Sequence, residues 1–363
     1  MKGGLDTLVL RLTNRCNLAC GYCYAGSGPA GEDLSPERAA EAVALACPPG
    51  GALRIQFTGG EPLLRWDTAV KVLDFGRASG RRFHAAIQTN GTLLTPALCR
   101  ELRARRVAVG VSLDGVGPDN AARRTPEGEP SFQATARGLQ TLAAAGMAAN
   151  LIAVVSASSV RGLDRLLDFA LWCGNVHGVG LDLVRPQGRG AGAGCPSPQA
   201  LAEGLNRLLA RHDQLARLGR PVRLKELERL RLLLRTGCRR DCYCNAQTGR
   251  SLAVTPDGRL WPCSALAGAE GCLLGTLGAG TALPQSPCPG LEPPEECARC
   301  PAFGLCGGGC PAARRAGPSP LDCQMHRRML EHACRLEGKL EWWNTWKTAF
   351  PDREEPDDKE ESQ

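Results

Sequence analysis

The sequence predicts an α/β fold in two parts: a parallel sheet or barrel through the first half, then a small cysteine-rich unit. Two observations carry this. Short β-branched or apolar runs alternate strictly with helical stretches up to about residue 185, the order that produces parallel sheets. From Cys238 onward, Cys, Gly and Pro replace periodic apolar residues, which is the composition of a unit held by metal rather than by packing.

Taken in order, strands are expected at 7–13, 53–59, 83–90, 107–114, 149–155 and 179–185. The intervening helices open at Ser35-Pro36, Asp67, Thr95-Pro96, Ser131 and Ser159. At those points Ser, Thr or Asp can cap a first turn, and Pro fits just inside it. In such folds chemistry lies beyond the carboxyl ends of the strands. Residues 186–198, rich in Gly and Pro, read as a linker, and 199–218 and 222–234 carry Leu and Arg at helical spacing. A last helix is expected over about 322–350, ahead of an acidic tail, and the sequence has no internal repeat.

Composition narrows the function. With 363 residues, 43% of them hydrophobic, the chain can bury a substantial core. No run approaches the ~18 apolar residues of a membrane span, and Met1-Lys2-Gly3-Gly4 leads into a strand rather than an export signal. A cytoplasmic location without a membrane partner is therefore expected. Nineteen cysteines in such a chain point to metal, because disulfide scaffolds belong to short secreted domains. The formal charge of +7 combines an acidic tail from Pro351 to Gln363, at −5, with a body at +12. A basic body can attract an acidic peptide, but bound thiolates cancel part of the charge and aromatic residues are only 4%, so nucleic acid is not an expected partner.

Directly after the first strand stands Cys16-Asn-Leu-Ala-Cys20-Gly-Tyr22-Cys23. Three thiolates on one short loop can hold three irons of a four-iron cluster and leave the fourth without a protein ligand. An open position is what a catalytic metal needs. The alternative, a buried helical face lined by small residues, conflicts with Asn17 and Gly21 inside the run. Further strand-end residues follow: Gly59-Gly60-Glu61-Pro62 after strand two, Gln88-Thr89-Asn90-Gly91 after strand three, and Ser112-Leu113-Asp114-Gly115 after strand four. Each is also a common turn former.

The cysteine loop with its aromatic residue before the last Cys resembles the cofactor-cleaving loop of the radical S-adenosylmethionine (SAM) superfamily, and Gly59-Gly60-Glu61-Pro62 is similar to a second segment of that family. The resemblance implies a partial (β/α)6 barrel of TIM type and a SAM-binding [4Fe-4S] cluster on Cys16, Cys20 and Cys23. It also implies SAM contacts from Tyr22, Gly59, Gly60, Glu61, Asn90 and Ser112, with Arg124 meeting the carboxylate. Glu61 and the glycine backbone would receive the amino group of the methionine moiety.

A second cysteine field runs Cys238, Cys244, Cys263, Cys297, Cys300, Cys306, Cys310 and Cys323. In isolation parts of it suit zinc, and a metal-stabilised binding module is the non-enzymatic reading. The spacing resembles the SPASM domain of radical SAM enzymes that mature peptides and proteins. This implies two auxiliary [4Fe-4S] clusters, one on Cys238, Cys244, Cys263 and Cys310, the other on Cys297, Cys300, Cys306 and Cys323. Cys242 is a spare able to replace a neighbour, whereas Cys47, Cys99, Cys173, Cys195, Cys272, Cys288 and Cys334 read as core or surface thiols. The implied organisation is a core barrel at 1–190, a helical linker region at 191–236, the auxiliary-cluster domain at 237–334, and a C-terminal helix with acidic tail at 335–363.

The implied chemistry is reductive cleavage of SAM to a 5′-deoxyadenosyl radical, hydrogen abstraction from a peptide or protein, and oxidation to a thioether or carbon-carbon cross-link. An electron donor such as flavodoxin or ferredoxin is implied as a partner. One branch of the family forms formylglycine in sulfatases and carries an Asp immediately after the Cys matching Cys263. Here that residue is Ser264, so a ribosomally made peptide is the expected substrate. Peptide maturases often begin with a leader-binding domain, for which no room is expected ahead of Thr7. Leader recognition is then left to a separate protein, the basic body, or Trp342, Trp343 and Trp346. At i, i+1 and i+4 those tryptophans also read as a helix packed on the barrel.

Overall fold

The computed structural model describes residues 4–192, 194–278, 280–283, 288–315 and 320–349. The acidic tail lies outside them. Six strands, β1 (Thr7–Arg11), β2 (Ala52–Thr58), β3 (Arg82–Thr89), β4 (Ala108–Ser112), β5 (Ala149–Val155) and β6 (Val176–Leu183), pair in parallel in simple sequential order. They are joined by α1 (Pro36–Ala46), α2 (Trp66–Ala78), α3 (Pro96–Ala104), α4 (Phe132–Ala144) and α5 (Leu163–Cys173). Ser35 and Thr95 cap as expected, their hydroxyl oxygens accepting from the backbone N–H of Arg38 and Leu98, each at 3.2 Å. Ser131 does not: its hydroxyl donates to Arg123 O at 2.9 Å instead. Asp67 falls in the first turn of α2 rather than at its cap, and a 3₁₀ turn at Val160–Gly162 separates Ser159 from α5.

Alternation along the strands decides the two faces of the sheet. In β5, Ala149, Leu151, Ala153 and Val155 are buried, whereas Asn150, Ile152 and Val154 are half-buried. The first set joins the core with Leu8, Ile55, Phe57, Ile87 and Val111. On the other face, Gln88, Gly110, Asn150 and Gly178 share one register row, and Ser112, Ile152 and Gly180 the next. A Cβ on Gly110 would meet Gln88 Oε1 at 2.2 Å, so the missing side chain lets Gln88 lie across the strand and donate to Ser112 Oγ at 2.8 Å.

The two helices expected over 199–218 and 222–234 are present and packed. α6 (Pro198–Arg217) and α7 (Lys225–Thr236) bury Leu201, Leu205, Leu208, Leu227 and Leu230 in the same core. The cysteine-rich region adds three strands to the main sheet. β7 (Ser251–Val254) pairs in parallel with β1, and β8 (Arg259–Trp261) and β9 (Gly275–Thr276) follow antiparallel. All four residues of β7 are buried, so the unit is anchored by backbone pairing to β1. Beyond it lie α8 (Glu295–Ala298), α9 (Phe303–Cys306), α10 (Pro311–Arg315), α11 (Pro320–Leu336) and α12 (Leu340–Ala349). The single helix expected over 322–350 is thus two, divided at Gly338, whose φ of 67° is left-handed. Trp343 is buried in the core and Trp342 is exposed. Among the described residues no helix is long and apolar enough to cross a membrane.

Candidate active site at the carboxyl edge of the sheet

The loop after β1 is tied down by backbone hydrogen bonds before its thiols are considered. Cys16 N donates to Gly28 O at 2.6 Å, Ala19 N to Arg124 O at 2.7 Å, and Gly21 N to Ala122 O at 2.9 Å. Cys16 is buried, while Cys20 and Cys23 are half-buried. The three are electrostatic neighbours, and Cys16 also senses Glu61. Burial pushes the Cys16 thiol up to about 12, against the Leu18 N–H, which donates to its sulfur at 3.3 Å. Burial also raises Cys20, while Arg123 and Arg189 act in the opposite direction. Clustered and flanked by cations, these thiols suit metal, which takes thiolate and spreads the charge.

Beneath the loop sits an ion pair with no counterpart in the sequence reading. Asp114, 1% exposed, accepts from Arg123 Nε at 3.0 Å, from Val154 N at 3.0 Å and from the Tyr22 hydroxyl. The Arg123 guanidinium lies 5.5 Å from the Tyr22 ring centroid. The Tyr22 hydroxyl, held by Asp114, anchors the loop to the end of β4. Asp114 was visible as a strand-end residue, but nothing in the sequence marks Arg123 as buried and its neighbour Arg124 as exposed.

Glu61 lies just past the end of β2. It is fully buried, and its carboxylate accepts from Leu63 N at 3.1 Å, Thr89 Oγ1 at 2.7 Å and Asn90 N at 2.8 Å. It fastens β2 to β3. Burial raises its pKa to about 7 in spite of these donors. The glycines before it have a steric reason: Cβ atoms on Gly59 and Gly60 would meet Thr13 O at 2.4 Å and Arg15 O at 2.2 Å. Asn90, 6% exposed, donates to Asn17 Oδ1 at 2.9 Å, accepts from Thr92 N at 2.9 Å and reaches Cys16 Sγ at 3.9 Å. Ser112 is half-buried, holding Gln88. The Arg124 guanidinium lies over the cysteine loop, 3.9 Å from where a Gly21 Cβ would stand.

The segment after β6 straps this loop from the other side. Arg189 donates through Nε to Cys20 O at 2.9 Å and through Nη2 to Ser27 O at 2.7 Å, and its own N–H reaches Cys23 O at 3.1 Å. Arg185 pairs with Asp182 at 2.8 Å, lies 5.9 Å from the Tyr24 ring centroid, and is an electrostatic neighbour of Cys310 and Cys263. Tyr24 Oη stands 3.4 Å from Ser264 Oγ. Tyr24, Arg185 and Ser264 thus connect the first cysteine loop to the second field.

Within that field the expected second set comes together: Cys297 neighbours Cys323 and Cys300, and Cys306 neighbours Cys323 and Cys297. In the first set, Cys244 and Cys263 both neighbour Cys310. Burial raises the thiols of Cys244, Cys263, Cys297 and Cys306, that of Cys263 to about 11. Cys238 is exposed just past α7, and the further neighbour of Cys244 is Cys242. Both sets offer clustered thiols, the donor chemistry that iron-sulfur clusters take.

Residues 10–170 match the radical SAM superfamily. The chain is 29% identical over 271 residues to an uncharacterised protein of Methanocaldococcus jannaschii, covering 74% of this chain and 88% of that protein. It is 26% identical over 365 residues to the serine-type anaerobic sulfatase-maturating enzyme of Klebsiella aerogenes, covering 92% and 87% respectively. The solved structure of native anSMEcpe with bound AdoMet shares the fold with a TM-score of 0.76 at 20% identity, over 93% of this chain and 99% of that one. The matched residues 10–170 include Cys16, Cys20 and Cys23 at the end of β1, so this part of the chain is similar to the radical SAM superfamily.

Proposed function

We propose that the chain is a maturase that oxidatively modifies a side chain or α-carbon of a ribosomally made peptide. The observation that carries this is the juxtaposition of two thiol fields across Tyr24, Arg185 and Ser264. Cys16, Cys20 and Cys23 would hold a four-iron cluster, which when bound and reduced would supply the electron for reductive cleavage of SAM.

The chain's own residues set where this happens. Tyr22, Asp114 and Arg123 hold the loop rigid from below, and Arg189 holds it from the side. Gly59 and Gly60 bring their backbone against the loop, and Asn90, Ser112 and Arg124 provide polar groups toward the cofactor's ribose and carboxylate. Arg185, paired with Asp182, presents a cation between the two fields and suits a peptide carbonyl or carboxylate. Cys297, Cys300, Cys306 and Cys323 form one auxiliary set. Cys244, Cys263 and Cys310 form the other, with Cys242 or Cys238 as its fourth thiol. These sets suit electron transfer from substrate as product forms.

Formylglycine formation in a sulfatase is the second reading, favoured by the likeness to the Klebsiella aerogenes enzyme along 92% of the chain. Against it, position 264 is serine, and the carboxylate of Asp182 is engaged by Arg185. Reduced, cluster-loaded protein incubated with SAM should release 5′-deoxyadenosine, and the variant with Cys16, Cys20 and Cys23 changed to alanine should release none. Mass spectrometry of an added sulfatase peptide then separates the readings, because efficient conversion to formylglycine selects the second.

A further inference from the structure

Outside the cysteine ligand sets, α6 carries His212 and Asp213 and α11 carries His332. The two imidazoles are 5% and 6% exposed, with ring centroids 5.8 Å apart. His332 Nε2 stands 3.1 Å and His212 Nδ1 3.9 Å from the same oxygen, Asp213 Oδ1, and the three atoms lie within 4.8 Å of one another. Neither nitrogen makes a hydrogen bond among the described residues. The short His332 contact is off the line an N–H···O bond requires. Buried polar atoms without partners are costly, and two of them facing one carboxylate oxygen are satisfied together by a shared cation.

We propose that His212, Asp213 and His332 bind one borderline divalent transition-metal ion of the Zn2+ type. Two imidazole nitrogens and one carboxylate oxygen, with water in the fourth position, suit such an ion. Mg2+ and Ca2+ demand more oxygen ligands, and Cu(I) prefers sulfur. Ligand atoms around tetrahedral zinc are roughly 3.3 Å apart for bonds of about 2.0–2.1 Å, between the 3.1 and 3.9 Å found here. Arg335 holds the other Asp213 oxygen, leaving Oδ1 free, in the manner of groups that orient metal ligands. Its Nη2 also lies 3.0 Å from His332 Nδ1, where a metal-bound imidazole carries its proton. The guanidinium, 47% exposed, would have to turn from that nitrogen on binding. Because α11 also carries Cys323, the ion would pin a cluster-bearing helix to the wall formed by α6.

The test uses full-length protein with its iron-sulfur clusters assembled, titrated anaerobically with Co2+ as the probe. About one equivalent should bind with the visible ligand-field bands of a nitrogen and oxygen site, lacking the charge-transfer absorption of thiolate ligands, and Zn2+ should displace it. His332→Gln should weaken binding by about 100-fold or more, exceeding the usual effect of losing a supporting group. If that variant does not fold, Asp213→Asn provides the same measurement. Absence of cobalt binding, a purely thiolate spectrum, or unchanged affinity in the variant overturns the proposal. None of these readouts depends on SAM cleavage, so they stand apart from the maturase reading.

Discussion

Glu61 shows how a residue of a strand-end motif also holds the backbone around it. Fully buried and held by Leu63, Thr89 and Asn90, it fastens strand ends. Its pKa, raised by burial from 4.5 to about 7, has a consequence for stability. Between those values the folded state binds more protons than the unfolded one, so the contribution of this group falls as pH rises through the window, by roughly 3 kcal/mol in total. Glu61→Gln should remove that slope. Denaturant midpoints of both proteins measured across the window test this, and parallel pH profiles would refute it. Tyr22 makes the same point: its place before Cys23 marks it as part of the motif, and its hydroxyl donates to Asp114.

At the scale of elements, the strand and helix order was legible because strands such as β5 bury alternate residues and α1 and α3 open at Ser and Thr caps. Less legible was the segment after β6, where Gly and Pro suggested a linker. Its glycines are instead steric necessities. A Cβ on Gly188, whose φ is 56°, would meet Cys23 O at 2.6 Å, and one on Gly190 would meet Arg185 O at 2.1 Å and Tyr22 O at 3.1 Å. Gly190→Ala should therefore displace the first cysteine loop and lower iron content by roughly one cluster of the three, leaving far-ultraviolet circular dichroism unchanged. Full iron content in that variant would show that the strap does not set the loop. Glycine has one appearance in a sequence whether it serves a flexible linker or a tight approach, so only the packed neighbour reveals which.

For the whole molecule, the thiol fields are joined by one continuous sheet, since β7 pairs with β1. That arrangement favours Cys242 over Cys238 as the fourth thiol of the set containing Cys244, Cys263 and Cys310, given that Cys242 neighbours Cys244 and Cys238 is exposed. Cys242→Ser should consequently lose more iron than Cys238→Ser, and the opposite order would restore the spacing-based assignment. By itself, the sequence determined the α/β class, the three-thiol loop after the first strand and the presence of a second thiol field, because periodicity and local spacing are properties of neighbouring residues. Only the tertiary structure decided that Arg123 is buried beneath the loop, that Glu61 is sealed inside, that residues 185–190 brace the site, and that two histidines on separate helices meet at Asp213. Each of these depends on contacts between residues distant in the chain, whose energy is set by what surrounds them rather than by what adjoins them in sequence.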